Sequence, residues 1–468
     1  MPNALAYLTL LVWPVIALVL YQRLSPTRAL IWAILGAYML LPPIATFNLP
    51  AVPDFDKFSI ANLCALVFTL FVLRERVPVL PQNWIGRGLI AMFVLTPFAT
   101  TITNPDVIPI LTGDVPSLRM YDSIAYISSQ LIALIPFVLA RRFLGTAEGM
   151  RALVGSLVLA GMIYSVPMVL ESRLSPQLNI WVYGFFQHDF SQSMRGGGFR
   201  PMVFMPHGLW VAFFALMAAM SALVMLRQST ADGRHWHLFI WLYLMAVLVL
   251  CRSAGPMVYA LGLTPLIVIA PRRIQVLVAA LLAVLVITYP LLRGAHLVPI
   301  YDIVDFAERI NPERGDSLRF RTDNEEALLV RAMEKPWFGW GGYGRNLIFD
   351  PYDGRILTVP DGGWIIVLGA YGWAGYIAQY GLLVLPLILI GREALLSRSA
   401  AFSPWGAGIA LIYAANLVDL LPNNTLIPFT WLMAGALLGW AEVLAADRRA
   451  AARAAWEANL PQGRRTVL

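Results

Sequence analysis

The residues with the most to offer chemically are arginines placed between apolar runs. Met194-Arg195-Gly-Gly-Gly-Phe-Arg200-Pro leads into an apolar run that begins near Met205, with His207 at its start. Cys251-Arg252-Ser-Ala-Gly255 is a turn between two further runs, and Arg319, Arg321, Arg331 and Arg345 fall in one long polar stretch. A guanidinium stays charged and binds phosphate through two parallel N–H bonds. The glycines between Arg195 and Arg200 let backbone approach a ligand closely. A single arginine near a membrane is ordinarily a snorkelling side chain. A group of them on one face suits a diphosphate held at the membrane surface.

Other polar groupings offer less. Gly339-Trp-Gly341-Gly-Tyr-Gly344 fits G-x-G-x-x-G, but a dinucleotide fold needs a buried strand before it. Here an amphipathic helix and Pro336 come first. Asp350-Pro-Tyr-Asp353-Gly is a good turn sequence, although clustered oxygens also suit a hard cation. Asp302 and Asp305 lie one helical turn apart and read as a solvated face. His235-Trp-His237 sits in a basic loop, and Cys64 and Cys251 give neither a disulfide framework nor a zinc cluster. No metal and no cofactor are expected.

What must position the arginines is a membrane bundle. Of 468 residues, 59% are hydrophobic and 13% charged, against about 45–50% and about 25% in soluble domains. Such a chain could not cover itself with polar groups, and it is too apolar for disorder. The apolar runs are continuous, whereas a membrane β-barrel alternates, and a spanning helix needs about 20 residues. They fall at about 4–21, 29–47, 58–73, 88–103, 123–140, 152–170, 206–226, 238–251, 254–270, 274–291, 364–390, 405–421 and 425–445. The predicted fold is all-α and polytopic, with about 12–13 transmembrane helices.

Arginine placement assigns the sides. One set of loops holds Arg23, Arg28, Arg74, Arg76, Arg87, Arg141, Arg142, Arg151, Arg227, Arg234, Arg272, Arg273, Arg392 and Arg398; the short loops opposite hold Lys57, Arg119 and Arg252. The first set is therefore cytoplasmic. The net charge of +7 belongs to these loops and implies no nucleic-acid partner. The first apolar run lacks a basic n-region, so no cleavable signal peptide is expected. The N-terminus is placed outside and the C-terminus inside.

Residues 1–291 thus carry helices one to ten, with an outer loop at 171–205. Residues 292–363 form a large outer loop with short helices, where Thr322-Asp-Asn-Glu325 reads as a capping box opening a helix to about Glu334. Residues 364–445 hold the last spans. Residues 446–468 are a basic tail, with Arg448, Arg449, Arg453, Arg464 and Arg465, read as a short helix on the cytoplasmic surface. The spans hold few ionisable groups, Asp419 near an outer helix end being the main exception, and no broken helices are evident. Both features argue for surface chemistry over coupled transport.

The stretch from Ser317 to Gly381 resembles the O-antigen ligase/polymerase superfamily of WaaL-type ligases and Wzy-type polymerases. Its Pro-apolar-Phe-Gly-x-Gly loop is matched by Lys335-Pro-Trp-Phe-Gly339-Trp-Gly341. The later segment is Val359-Pro-Asp361-Gly-Gly-Trp364-Ile365, followed by Ala370-Tyr-Gly372-Trp-Ala-Gly375. Gly198-Phe-Arg200-Pro, Pro206-His207-Gly208 and Arg252-Ser-Ala-Gly255 are similar to upstream family motifs. Asp361 stands where the family usually shows His, and Ala370 replaces its usual acidic residue. The Asp-Gly-Gly-Trp form looks more like the exopolysaccharide polymerases of the superfamily than like its lipid A-core ligases.

The resemblance implies a GT-C-like, inverting, metal-independent glycosyltransferase in the bacterial inner membrane, with its site on the periplasmic face. The donor would be an oligosaccharide on undecaprenyl diphosphate and the acceptor a sugar hydroxyl. Chain-length regulator and flippase proteins are the implied partners, beside membrane lipid. A Wzy-type polymerase is the first expectation, an O-antigen ligase the second and a lipid-linked oligosaccharide flippase the third. Arg200 and Arg252 are expected on the diphosphate, with Arg195, Arg319, Arg321, Arg345 and Asp419 as further substrate-binding candidates. Asp361 is expected either as general base or as an N-cap of the following helix, with His207 as reserve base.

Overall fold

The computed structural model describes residues 1–48, 53–111, 113–310, 312–397 and 402–458; Arg398, Arg464 and Arg465 lie outside the described residues. Among the described residues there are sixteen α-helices: α1 (Ala4–Arg23), α2 (Pro26–Leu40), α3 (Lys57–Phe71), α4 (Trp84–Ile102), α5 (Met120–Phe143), α6 (Ala147–Leu174), α7 (Leu178–Tyr183), α8 (Gly208–Gln228), α9 (Ala231–Leu250), α10 (Ala254–Val268), α11 (Arg272–Gly294), α12 (Ile300–Ile310), α13 (Pro312–Met333), α14 (Gly363–Leu396), α15 (Pro404–Asp419) and α16 (Pro428–Ala458). Each of the thirteen apolar runs is a helix. Among the described residues nine of these are long and apolar enough to cross a membrane: α1, α4, α5, α6, α8, α9, α11, α14 and α16. The chain is an all-α, multi-pass membrane protein.

Within lipid, apolar surface alone does not drive helices together; close packing at small residues does. Gly435 of α16 lies against the Phe137 carbonyl of α5, and Gly439 against the Arg141 carbonyl, where a Cβ would come within 2.3 Å. Gly161 of α6 meets Ala218 of α8 in the same manner. Helix α8 is buried on every side from Val211 to Val224, as an all-round apolar helix at a bundle centre must be. Helices α1, α9 and α10 expose Leu8, Leu11, Leu242 and Leu261, the surface a bilayer covers.

Four expectations are corrected. Helix α13 begins at Pro312, so Thr322–Glu325 lies mid-helix and opens nothing. Arg319 of α13 bonds Glu308 at 2.7 Å and Asp305 at 2.9 Å on α12, and this charged seam supports a helix start that apolar periodicity does not mark. Asp305 is thus paired; Asp302 is exposed. The tail from Ala441 to Ala458 continues α16 without a break, because its alanine-rich sequence has no cap or breaker. Asp350 is a turn residue, accepting from the Tyr352 N–H at 2.7 Å, as expected.

The fourth correction is a broken span. Gly372 interrupts α14 at φ 63°, ψ −166°, a conformation open essentially to glycine alone. Residues 336–341 fill the gap. The N–H groups of Trp340 and Gly341 donate to the carbonyls of Gly369 and Ala370 at 2.9 and 2.8 Å. The N–H groups of Trp373 and Ala374 donate to the carbonyls of Pro336 and Trp337 at 2.7 and 3.1 Å. Two carbonyls and two N–H groups freed by the break are thereby satisfied, in the manner that irregular backbone at membrane depth requires.

Candidate functional site

The ends of α6, α9 and α15 and the starts of α8, α10, α14 and α16 are tied together on one face by bonds such as Glu171 to Met202, Arg200 to Ser253, Asp419 to Thr425 and Gly363 to Leu420. The face is opposite the arginine-rich loops. Glu171, at the end of α6, is buried and accepts from the N–H groups of Leu178, Met202 and Val203 at 2.9, 2.8 and 2.7 Å. It clamps the segment that carries Arg200. Val203 and Arg252 both hold φ 51°, left-handed backbone that strains a side chain. One of these strained residues, Arg252, belongs to the arginine group, and the other, Val203, lies three positions after Arg200.

The Arg195–Arg200 motif is a hairpin. Met194–Arg195 pairs antiparallel with Gly198–Phe199, and Gly196 and Gly197 turn with positive φ, the geometry of a tight two-residue loop. The Arg252 guanidinium lies across it, donating to the carbonyls of Arg195 (2.9 Å) and Gly196. A Cβ at Gly198 would stand 2.3 Å from this guanidinium. Gly198 therefore admits the Arg252 side chain, whereas a Cβ at Gly197 would meet nothing within 4 Å.

Arg200 is 4% exposed. Its Nη2 donates to the Ser253 Oγ at 2.7 Å, at the α9–α10 turn. Among the described residues its Nε has no hydrogen-bond partner, and Arg195, Arg200 and Arg252 form no ion pair. Burial, and then the Arg195 charge, push the Arg200 pKa down to about 10, so it remains cationic. A charge held this way without a counter-ion is costly, and an anionic ligand relieves that cost.

Arg321 of α13 faces the same space. Its Nε meets the Asp361 Oδ2 at 3.3 Å and its Nη1 donates to Asn423 Oδ1 at 3.2 Å. Its charge is felt at both Arg200 and His207. The His207 Nδ1 accepts from the Leu209 N–H at 3.0 Å as the N-cap of α8. That contact assigns the ring proton to Nε2. Burial, reinforced by Arg200, pushes the ring down to about 3. A neutral imidazole with Nδ1 engaged and Nε2 protonated donates in this arrangement, and to act as a base it would have to give up the bond from the Leu209 N–H.

Asp361 does not cap α14. Gly362 is the N-cap residue and makes no side-chain cap bond. The Gly363 N–H is instead taken by the carbonyls of Leu420 (3.0 Å) and Asn423 (3.3 Å). Asp361 is left with one carboxylate oxygen on Arg321 and partial exposure. Beside it is a residue the sequence reading passed over, Glu325, 8% exposed and bonded by the Trp364 Nε1 at 3.4 Å. Burial pushes its carboxyl up to about 7. The signal was present in Thr322–Glu325, but as part of a helix start.

Three expected site residues already have protein partners, Asp419 at the edge of the group and Arg319 and Arg345 away from it. Asp419 accepts from Asn423 Nδ2 (3.0 Å) and Thr425 Oγ1 (3.1 Å) and bonds Tyr259 of α10, so it fastens the α15–α16 loop beneath Arg321. Arg319 is neutralised on α12, as above. Arg345, 1% exposed, donates to the carbonyls of Trp340 (3.1 Å) and Pro116 (2.7 Å) and holds the loop that fills the α14 break. The structure groups Arg195, Arg200, Arg252, Arg321, His207 and Asp361, and leaves Arg319 and Arg345 outside. No family model matches the chain, and no curated protein matches it.

Proposed function

We propose that the chain is a polymerase of lipid-linked oligosaccharide repeats, a Wzy-type glycosyltransferase of O-antigen or exopolysaccharide synthesis. The observation that carries this reading is Arg200: a buried guanidinium with no carboxylate partner among the described residues, beside Arg195, Arg252 and Arg321, where helices end on one face of the bundle. In this reading thirteen helices span the bacterial inner membrane in a GT-C-like arrangement, and the arginine face is periplasmic.

The acceptor sugar hydroxyl attacks the anomeric carbon of the donor from the side opposite the undecaprenyl diphosphate. The new C–O bond forms as the bond to the diphosphate breaks, inverting the centre. The electron pair leaves with the diphosphate, whose growing charge falls on Arg200 and its neighbours. Fixed donors aimed at developing charge are worth about 10²–10³-fold each. The hydroxyl proton passes to a carboxylate, for which Asp361 is the exposed candidate and Glu325 the buried one. In this reading the His207 Nε2–H donates to a phosphate oxygen. Residues 336–341 engage two backbone groups on each side of the α14 break, and this packing of chain into the gap supports transfer over transport.

The test is turnover of a purified lipid-linked repeat by the purified protein. Long chains with release of undecaprenyl diphosphate support the proposal. Transfer only to an added core acceptor means a ligase, and translocation of the repeat with no new glycosidic bond means a flippase.

A further inference from the structure

A cavity of about 800 Å³ opens at the other end of the bundle, where α2, α6, α8, α9 and α15 meet. Its rim carries Arg28 and Arg151, with Trp32 and Trp405 beside them. One side of its wall is apolar, formed by Gly155, Leu159 and Met225, with Ser156, Gln228 and Ser229 also in the lining. Among the described residues neither Arg28 nor Arg151 makes an ion pair, and the Arg151 guanidinium lies over the Trp405 ring at 5.6 Å. Glu148 is the one carboxylate among the described lining residues and His237 the one imidazole, so the rim keeps a net positive charge.

Gly155 is the second observation. It stands within α6, where glycine costs helix stability relative to alanine. Gly161, two turns on, is required because a Cβ there would lie 2.3 Å from Ala218. At Gly155 a Cβ would meet nothing within 4 Å. Helix packing does not demand this glycine, and the space it leaves belongs to the cavity.

We propose that the cavity holds an anionic glycerophospholipid from the leaflet on the arginine-rich side. Its phosphate lies on Arg28 and Arg151, and one acyl chain runs along Gly155, Leu159 and Met225. Tryptophan flanking the headgroup level and paired basic residues between spans match that ligand in charge and in depth. Neither the chemistry nor the membrane face of the arginine site enters this assignment.

Thermal melts of the full-length protein in neutral detergent test it, with phosphatidylglycerol, phosphatidylcholine and inorganic phosphate as probes. Phosphatidylglycerol is expected to stabilise saturably and phosphatidylcholine to need at least about tenfold more, the ratio set by headgroup charge. Arg28 and Arg151 are exposed, so R28Q/R151Q folds and should weaken phosphatidylglycerol binding by about tenfold or more. G155F fills the wall and should abolish the stabilisation with both arginines intact. Equal stabilisation by both lipids, or wild-type response in R28Q/R151Q, overturns the proposal. Saturation by inorganic phosphate that survives G155F also overturns it, and identifies a free phosphate species as the occupant.

Discussion

Arg321 and Asp361 meet at 3.3 Å and join the polar helix α13 to the residue just before the N-cap of α14. Both are about one-third exposed, so the pair adds at most about 1 kcal/mol to stability. Its value is placement, since it sets a carboxylate beside the arginine group through one of its two oxygens.

Asp361→Asn separates placement from proton transfer. The amide keeps the shape and still accepts from Arg321. Because α14 is capped by backbone carbonyls, the melting temperature should stay close to wild type. Turnover should fall by about 10²–10⁴-fold if Asp361 takes the hydroxyl proton. Initial rates and a detergent melt on the same preparation check both parts.

Glu325 makes stability depend on pH. Its carboxyl rises from an ordinary 4.5 to about 7 in the folded chain, so the folded state holds the proton more tightly. The resulting stabilisation is complete below about pH 4.5 and is lost as pH rises through about 7, a span on the order of 3 kcal/mol. Glu325→Gln should flatten the fall in melting temperature across that window. If Glu325 is also the working base, the same variant abolishes turnover while Asp361→Asn retains it.

Gly372→Ala should be among the most damaging single changes. A Cβ there would sit 2.4 Å from the Trp337 carbonyl carbon, and alanine cannot hold the backbone angles without strain. A loss of at least about 3 kcal/mol is expected, read as a lower melting temperature or failure to accumulate in the membrane. Gly155→Ala, also within a span but facing open space, should lose nothing.

The thirteen apolar helices, nine of them among the described residues long enough to cross a membrane, were legible because a bilayer demands long apolar runs. Arg200, Arg252 and Arg321 were legible as residue types on one face. Arg319 and Arg345 have the same type and the same face, yet one is spent on Asp305 and Glu308 and the other on the carbonyls of Trp340 and Pro116. Those partners lie up to 229 residues away, where local sequence carries no sign of them. The α14 break was hidden for a related reason: Ala370-Tyr-Gly372-Trp-Ala reads as one apolar helix until the Pro336–Gly341 loop is packed into it. Glu325 was hidden by its own helix, which begins ten residues earlier than the Thr322–Glu325 pattern suggests.

The central claim is that Arg200 is held buried and uncompensated in order to meet a diphosphate. Arg200→Met tests it most directly, with turnover of a purified lipid-linked repeat and the melting temperature of the ligand-free protein measured together. The account predicts turnover lower by about 10²–10³-fold with a melting temperature unchanged or raised, since removing an unpaired buried charge does not destabilise. Arg200→Lys should recover only part of the rate, lacking the two-pronged contact. Wild-type turnover by Arg200→Met protein, or a rate loss that merely tracks unfolding, would contradict the account.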